Sequence, residues 1–201
     1  MGGPVKRSFW ILPLFLVCLA TSIGSVGYIM GSPEAFDYPF AEKYRQNLFL
    51  VRTHGLAAAL CLLLGPLGFV SRLPLHRQRG RIYVLSVLIA GLTAIPLSLI
   101  AEGGLLSQTG FLLLSVLWLY SGVELWRTAV RRDFQAHRIW VVRCFALAFG
   151  AVILRVLLNS VQEFGYSFQE YYAVTVWVSW AIAMGGGEFL IFGALREDQI
   201  D

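Results

Sequence analysis

The sequence predicts an all-α integral membrane protein, a bundle of about six transmembrane helices with both termini in the cytoplasm. Three observations lead to this fold class: 57% of the 201 residues are hydrophobic, only 14% are charged, and the apolar residues fall into six long stretches. Soluble domains carry about 25% charged residues, whereas a helix that crosses a bilayer needs about 20 predominantly apolar residues. The length therefore allows several crossings, and we expect no separate water-soluble domain.

The six apolar stretches are each close to the length of one bilayer crossing. They lie at roughly residues 9–30, 48–69, 82–100, 110–126, 140–158 and 172–195. Only short polar links separate them, so residues 1–201 are predicted to form a single polytopic membrane domain. The first stretch follows Lys6 and Arg7, as in a signal peptide, but it is long and contains no Ala-x-Ala-like site. We therefore expect it to remain as an uncleaved anchor.

The basic residues predict the orientation of the bundle. Eleven of the 16 lysines and arginines fall on one side of the predicted membrane: Lys6, Arg7, Arg72, Arg77, Arg79, Arg81, Arg127, Arg131, Arg132, Arg138 and Arg196. By the positive-inside rule this side is the cytoplasm. Membrane lipids, whose anionic headgroups lie beside such loops, are the expected partners, and nucleic-acid binding is not expected.

Ionisable side chains inside the spans are the best candidates for a functional site, since they are costly in lipid and turn toward a partner or a cavity. They form two layers. The outer layer consists of Arg52, His54, Glu102 and Arg155. The inner layer consists of His76, Arg77, Arg81, Glu124, His137, Arg138, Arg143 and Glu188. Each layer contains both signs of charge, so we expect ion pairs in both.

Particular pairs follow from the positions of the carboxylates. Glu102 comes after the last turn of its helix, where the helix dipole disfavours an anion, so we expect an outer cluster of Arg52, Glu102 and Arg155. At the inner side Glu124 and Glu188 need cations, and Arg81 and Arg143 lie at matching depth. These pairs either lock helices together or line a polar cavity that opens to one side, and the sequence leaves both interpretations open.

The three histidines limit any haem site, because a haem with two axial imidazoles needs histidines at equal depth on facing helices. His76 and His137 both stand at the cytoplasmic start of a span, and the arginines that follow them, Arg77 and Arg138, are suited to pair with haem propionates. The sequence thus allows one inner haem b. His54 has no histidine partner in its layer. The alternative for all these side chains is ordinary contact with headgroups and loops.

Small residues and cysteines add little chemistry. The stripe of small residues beside His54 is typical of close helix packing, with a slot for a flat cofactor as the alternative. Gly185-Gly186-Gly187 is expected to bend the last span and present Glu188. The three cysteines lie inside spans without metal-ligand spacing, so no metal site is expected. No catalytic motif is present, and whether the protein is an enzyme stays open.

Several candidate residues belong to longer motifs. They are Arg52-Thr53-His54, Gly65-Pro66-Leu67-Gly68-Phe69, His76-Arg77 with Gly80-Arg81-Ile82-Tyr83-Val84, Glu102-Gly103-Gly104, Trp118, His137-Arg138-Ile139-Trp140 with Arg143, and Leu154-Arg155. Together they resemble the bacterial predicted-membrane-protein family catalogued as domain of unknown function 2306, with Gly68 in place of a usual glutamine and Val141 in place of a usual methionine. The resemblance implies a multi-pass protein of the inner (plasma) membrane and brings no established activity.

Two classes of function remain after these steps. The first is a membrane redox or cofactor-binding protein for haem b or quinone, which uses His76 and His137 at the inner side or His54 at the outer side. The second is a non-enzymatic carrier, proton-handling or assembly protein, in which the Arg–Glu clusters gate or lock the bundle. A homo-oligomer or a membrane-protein partner is compatible with both.

Overall fold

The chain is all-helical in the computed structural model, which describes residues 10–32, 41–70, 74–163 and 168–197. In chain order the helices are α1 (Ile11–Met30), α2 (Ala41–Gln46), α3 (Leu48–Gly68), α4 (His76–Leu99), α5 (Gly104–Arg131), α6 (Phe134–Glu163) and α7 (Phe168–Glu197). None of the described residues forms a strand. The all-α prediction is therefore confirmed.

Six of these helices are long and apolar enough to cross a membrane, namely α1 and α3 to α7. Each corresponds to one of the six predicted spans, which confirms their number. The side of the membrane on which the termini lie stays a prediction. The helices from α4 onward begin before the predicted spans, because apolar content indicates the thickness of the hydrocarbon core, whereas a helix ends where its backbone is capped.

The chain divides into two compact units, Met1–Thr93 and Ala94–Asp201, with the boundary inside α4. We call them the N-terminal and C-terminal units and describe the contacts of each separately. Pro96 lies three residues beyond the boundary, still within α4. A proline inside a helix removes one backbone hydrogen bond and favours a kink. The expectation of a single membrane domain stays a prediction.

In the N-terminal unit, small residues bring α1 and α3 together. The hydroxyl of Ser22 on α1 donates to the carbonyl of Cys18 at 2.7 Å and also approaches the carbonyl of Ala59 on α3 at 3.3 Å. Gly55 lies against the side chain of Ile29, which occupies the space that a Cβ atom would need. Close approach of this kind stabilises helix pairs in a bilayer, where dispersion contacts replace the hydrophobic effect.

The C-terminal unit packs α5, α6 and α7 against one another, again through glycines. A Cβ atom on Gly110 of α5 would lie 2.9 Å from the indole nitrogen of Trp177 on α7. A Cβ atom on Gly150 of α6 would lie 3.1 Å from the Cα atom of Trp180. The indole N–H of Trp177 also donates to the carbonyl of Leu106 at 2.9 Å, which fixes α7 beside the start of α5.

Candidate functional site

The twelve candidate residues fall in both units. The N-terminal unit contains Arg52, His54, His76, Arg77 and Arg81, and the C-terminal unit contains Glu102, Glu124, His137, Arg138, Arg143, Arg155 and Glu188. The expected outer cluster and the expected pair His76–His137 each combine residues of both units, as does any pairing of Arg81 with a carboxylate of the inner layer. These associations therefore stay predictions, and the contacts below lie within one unit each.

Arg52 caps the C-terminal end of α1. Its Nε atom donates to the carbonyl of Ile29 at 3.1 Å, and its Nη2 atom donates to the carbonyl of Gly31 at 3.2 Å. The last carbonyls of a helix lack intrahelical donors and carry the negative end of the helix dipole, so a guanidinium group stabilises them. Arg52 thus has a structural role that the sequence did not suggest. The signal that could have indicated it is its position near the start of α3, which lies beside the end of α1.

His54 lies about half a turn further along α3 and connects this helix to α4. Its Nδ1 atom is 2.9 Å from the backbone carbonyl of Ala90. That carbonyl also accepts a hydrogen bond from the hydroxyl of Thr93 at 3.0 Å. Because a carbonyl oxygen can only accept, Nδ1 must carry the proton. In the neutral ring the lone pair is then on Nε2, the nitrogen that is able to bind a metal or accept a proton.

His137 lies beside the turn between α5 and α6 and, like His54, contacts a backbone carbonyl through Nδ1. Arg132 has a left-handed backbone conformation there (φ 58°), and the side chain of Asp133 accepts the amide hydrogen of Ala136 and so caps α6. The turn directs the ring of His137 back onto α5, with Nδ1 3.2 Å from the carbonyl of Leu125. As in His54, Nδ1 is the protonated nitrogen. The half-buried imidazole therefore has a defined tautomer when neutral.

Arg143 and Glu188 form a bidentate ion pair between α6 and α7. Arg143 donates from Nε to Oε1 at 2.6 Å and from Nη2 to Oε2 at 3.1 Å. The guanidinium carbon lies 5.0 Å from the ring centroid of Trp140, a cation–π contact. The helices approach closely at this level because Gly187 has no Cβ atom, and one built there would lie 3.1 Å from Cβ of Ala146.

Glu124 pairs with Arg127, one turn further along α5, and the two side chains are 2.5 Å apart. This partner differs from the expected ones, Arg81 and Arg143. The difference has a simple physical reason: residues three apart on a helix are neighbours, so the pair forms without bringing a second helix to the carboxylate. Glu124, whose side chain is only 15% exposed, thus has its ion-pair partner on its own helix, and that partner, Arg127, is 48% exposed.

The remaining candidates have the following surroundings. Arg155 is exposed and donates from Nη1 to the carbonyl of Ala151 at 2.9 Å. The backbone carbonyl of Glu102 accepts a hydrogen bond from the hydroxyl of Ser107, which fixes the chain before α5. At the start of α4, His76 is half-buried, and the arginines near the helix starts are exposed: Arg77, Arg81 and Arg138.

Two features of the described helices bear on metals and on unassigned polar groups. No group of three His, Cys, Asp or Glu side chains among the described residues is arranged to hold a metal ion.

Two buried polar groups of the described helices have no hydrogen-bond partner, namely the indole N–H groups of Trp118 and Trp180. Trp118 was singled out in the sequence as part of the family motifs, and both tryptophans lie in the middle of a span, away from the interfacial zone that tryptophan usually prefers.

The comparisons with known proteins identify one family. The family model described as Predicted membrane protein (DUF2306) matches residues 51–191 of the chain. This range begins one residue before Arg52 and ends three residues after Glu188, so it includes all twelve candidate residues. No curated protein and no solved structure matches the chain.

Proposed function

The chain belongs to the DUF2306 family of predicted membrane proteins, and from this premise we propose that it is a redox protein of the bacterial inner membrane that holds one haem b. In this proposal His76 and His137 are the two axial ligands, at the cytoplasmic ends of their helices. What the matched family and the six apolar helices establish is a membrane protein in contact with lipid. The cofactor, the membrane and the orientation are parts of the proposal.

The observation that supports the proposal best is the hydrogen bond from Nδ1 of His137 to the carbonyl of Leu125. Histidines that bind metals usually donate their other ring N–H to a backbone carbonyl or a carboxylate, which fixes the tautomer and the ring orientation. His137 has this arrangement. Its Nε2 lone pair is therefore the group we assign to the iron.

The residues next to the two histidines fit the other needs of a haem. His76 and His137 lie in the first turns of α4 and α6, so each stands at the start of a helix that is long and apolar enough to cross a membrane. Arg77 and Arg138 are exposed beside them, as is suitable for binding two propionates. A haem supplies one-electron chemistry, and the protein supplies ligation, orientation and charge compensation.

The test is a reduced-minus-oxidised absorption spectrum of the detergent-purified protein, expressed with an adequate supply of haem. We expect the bands of a bis-histidine haem b, and their loss in His76→Ala and His137→Ala. His54→Ala is the matched control, since His54 makes the same kind of bond to a backbone carbonyl but is not an assigned ligand. A colourless wild-type protein, or bands that persist in both ligand variants, contradicts the proposal.

Quinone is the second cofactor candidate, and the geometry of His54 favours it. With Nδ1 donating to Ala90, the Nε2 atom of the neutral ring is an acceptor for the hydroxyl hydrogen of a quinol. We expect a quinol from the membrane or an added lipid extract to copurify with the wild-type protein. The amount of bound quinol should be lower in His54→Ala. Equal quinol content in wild type, His54→Ala and His137→Ala contradicts this assignment.

A non-enzymatic role is favoured by a different observation, the bidentate pair of Arg143 and Glu188. In that role the pair locks α6 to α7. Removing the anion with Glu188→Gln leaves a cation inside the membrane, and we expect stability in detergent to fall by about 1–3 kcal/mol. Glu124→Gln is the control, because Arg127 is close to water at the end of α5 and such pairs contribute less than about 1 kcal/mol. Equal melting temperatures of the two variants contradict a locking role.

A further inference from the structure

The ion pair of Arg143 and Glu188 lies inside the hydrocarbon zone. Arg143 is nine residues from the start of α6, and Glu188 is nine residues from the end of α7. At 1.5 Å per residue each is about 13 Å from its helix end. Because a helix of 30 residues is about 45 Å long and the hydrocarbon core is about 30 Å thick, both groups are several ångströms below the headgroups.

At this depth the pair is unusually open. The side chain of Arg143 is 33% exposed and that of Glu188 is 46% exposed. The ion pair uses two of the five N–H donors of the guanidinium group. Charged side chains at membrane depth normally face the interior of a bundle, a water-filled cavity or a partner, since acyl chains offer them nothing. The exposed side of the pair therefore favours a neighbour that carries polar or charged groups.

The surface of α7 beside the pair has a second unusual feature. Of the three consecutive glycines, only Gly187 is needed for packing against α6, whereas a Cβ atom on Gly185 or Gly186 would meet nothing within 4 Å. Glycine is a poor helix former and presents little surface to lipid. Its common use at an exposed position of a membrane helix is to let another helix approach closely. Both features thus occur within one turn of α7.

We propose that the face of α7 that carries Gly185 and Glu188 is the interface between two copies of the chain, related by a twofold axis near Gly185. The face carries both signs of charge side by side, so a twofold-related copy places its Glu188 against Arg143 and its Arg143 against Glu188. The four charges then alternate in sign, so that each lies beside charges of the opposite sign. Close contact across Gly185 removes the pair from lipid.

Charge complementarity also decides between the occupants of this face. An anionic headgroup would have to compete with Glu188 for Arg143, since the pair has no excess positive charge. Acyl chains provide no polar partner. An unrelated protein would need its own pair of opposite charges at the same depth, which a second copy provides by symmetry.

Disulfide formation in native membranes tests the interface. The native cysteines are fully buried, so the parent chain gives a low background. We expect Gly185→Cys or Phe189→Cys, which share a helix face with Glu188, to form a covalent dimer with copper phenanthroline. Val174→Cys is the matched control, because it is exposed on the same helix about three turns away. Absence of dimers from both test positions, or equal dimer formation at Val174, overturns the proposal.

Charge exchange tests the four-charge arrangement itself. In the Gly185→Cys background, Glu188→Arg places four cations together, and we expect dimer formation to fall by about fivefold or more. The double exchange Arg143→Glu with Glu188→Arg restores the alternation, and we expect dimer formation to recover. A double variant that melts like the parent but dimerises no better than Glu188→Arg overturns the role of the pair. These readouts are independent of any cofactor.

Discussion

Arg52 lies half-buried in α3, where a charged side chain would be costly without partners. Its partners are two backbone carbonyls at the end of α1, and these carbonyls would otherwise lack donors. The guanidinium group near the start of α3 thus supplies hydrogen bonds to carbonyls at the end of α1. A single side chain in this way links these two helix ends.

We expect Arg52→Ala to lower the stability of the protein in detergent by about 2 kcal/mol, because two charge-assisted hydrogen bonds are lost and two carbonyls lose their donors. Arg52→Lys keeps the charge but not the two-pronged geometry, so its melting temperature is expected between those of Ala and wild type. The control is Arg77→Ala, which removes an exposed arginine and should change stability by less than about 0.5 kcal/mol. Equal losses in Arg52→Ala and Arg77→Ala would contradict the capping role.

At the level of helices, hydropathy predicted which segments form spans but not where each helix ends. The fourth span was predicted from residue 110, whereas α5 begins at Gly104, and both Gly104 and the Gly103 before it have positive φ angles. Such an end depends on backbone conformation, to which an apolar average is insensitive. The fifth span was predicted from residue 140, but α6 begins at Phe134, directly after the Asp133 cap.

The partners of the charged residues were harder to predict than the residues themselves. Depth in the membrane singled out Arg52, Glu124, Arg143 and Glu188 as groups that need partners. Depth does not distinguish a side-chain partner from a backbone carbonyl, and the carbonyls bound by Arg52 have no sequence signature of their own. Nor did depth reveal that Glu124 would pair within its own helix. The sequence therefore predicts which charged side chains need a partner inside the membrane, and the geometry of the helices decides which group is that partner.

Glycines decide how closely α6 and α7 approach, which gives a prediction at this scale. We expect Gly150→Ala to destabilise the protein by about 1 kcal/mol, because the new Cβ atom would press on the backbone of Trp180, which cannot rotate away. Gly27→Ala in α1 is the control, since a Cβ atom there meets nothing within 4 Å and alanine is the better helix former. The melting temperature should fall in the first variant and stay equal or rise in the second. A rise in both would show that α6 and α7 have room between them.

At the scale of the whole molecule, the charged residues fall into two sets with different roles. The arginines at the ends of α5, α6 and α7 are exposed and predict orientation by their number. The charged groups inside the spans are fewer, and those with known contacts bind a helix end or one another.

The orientation is tested by labelling the two ends of α5. This helix has 28 residues and a length of about 42 Å, so its ends lie on opposite faces of the membrane. Leu105, near its start, is 76% exposed, and Phe134, just after its arginine-rich end, is 68% exposed. We expect Leu105→Cys to react with a membrane-impermeant maleimide in intact spheroplasts, and Phe134→Cys to react only after permeabilisation, because the positive charges retain that end in the cytoplasm. The parent chain, whose cysteines are fully buried, is the control. The reverse pattern of labelling would invert the topology and move His76 and His137 to the outer side of the membrane.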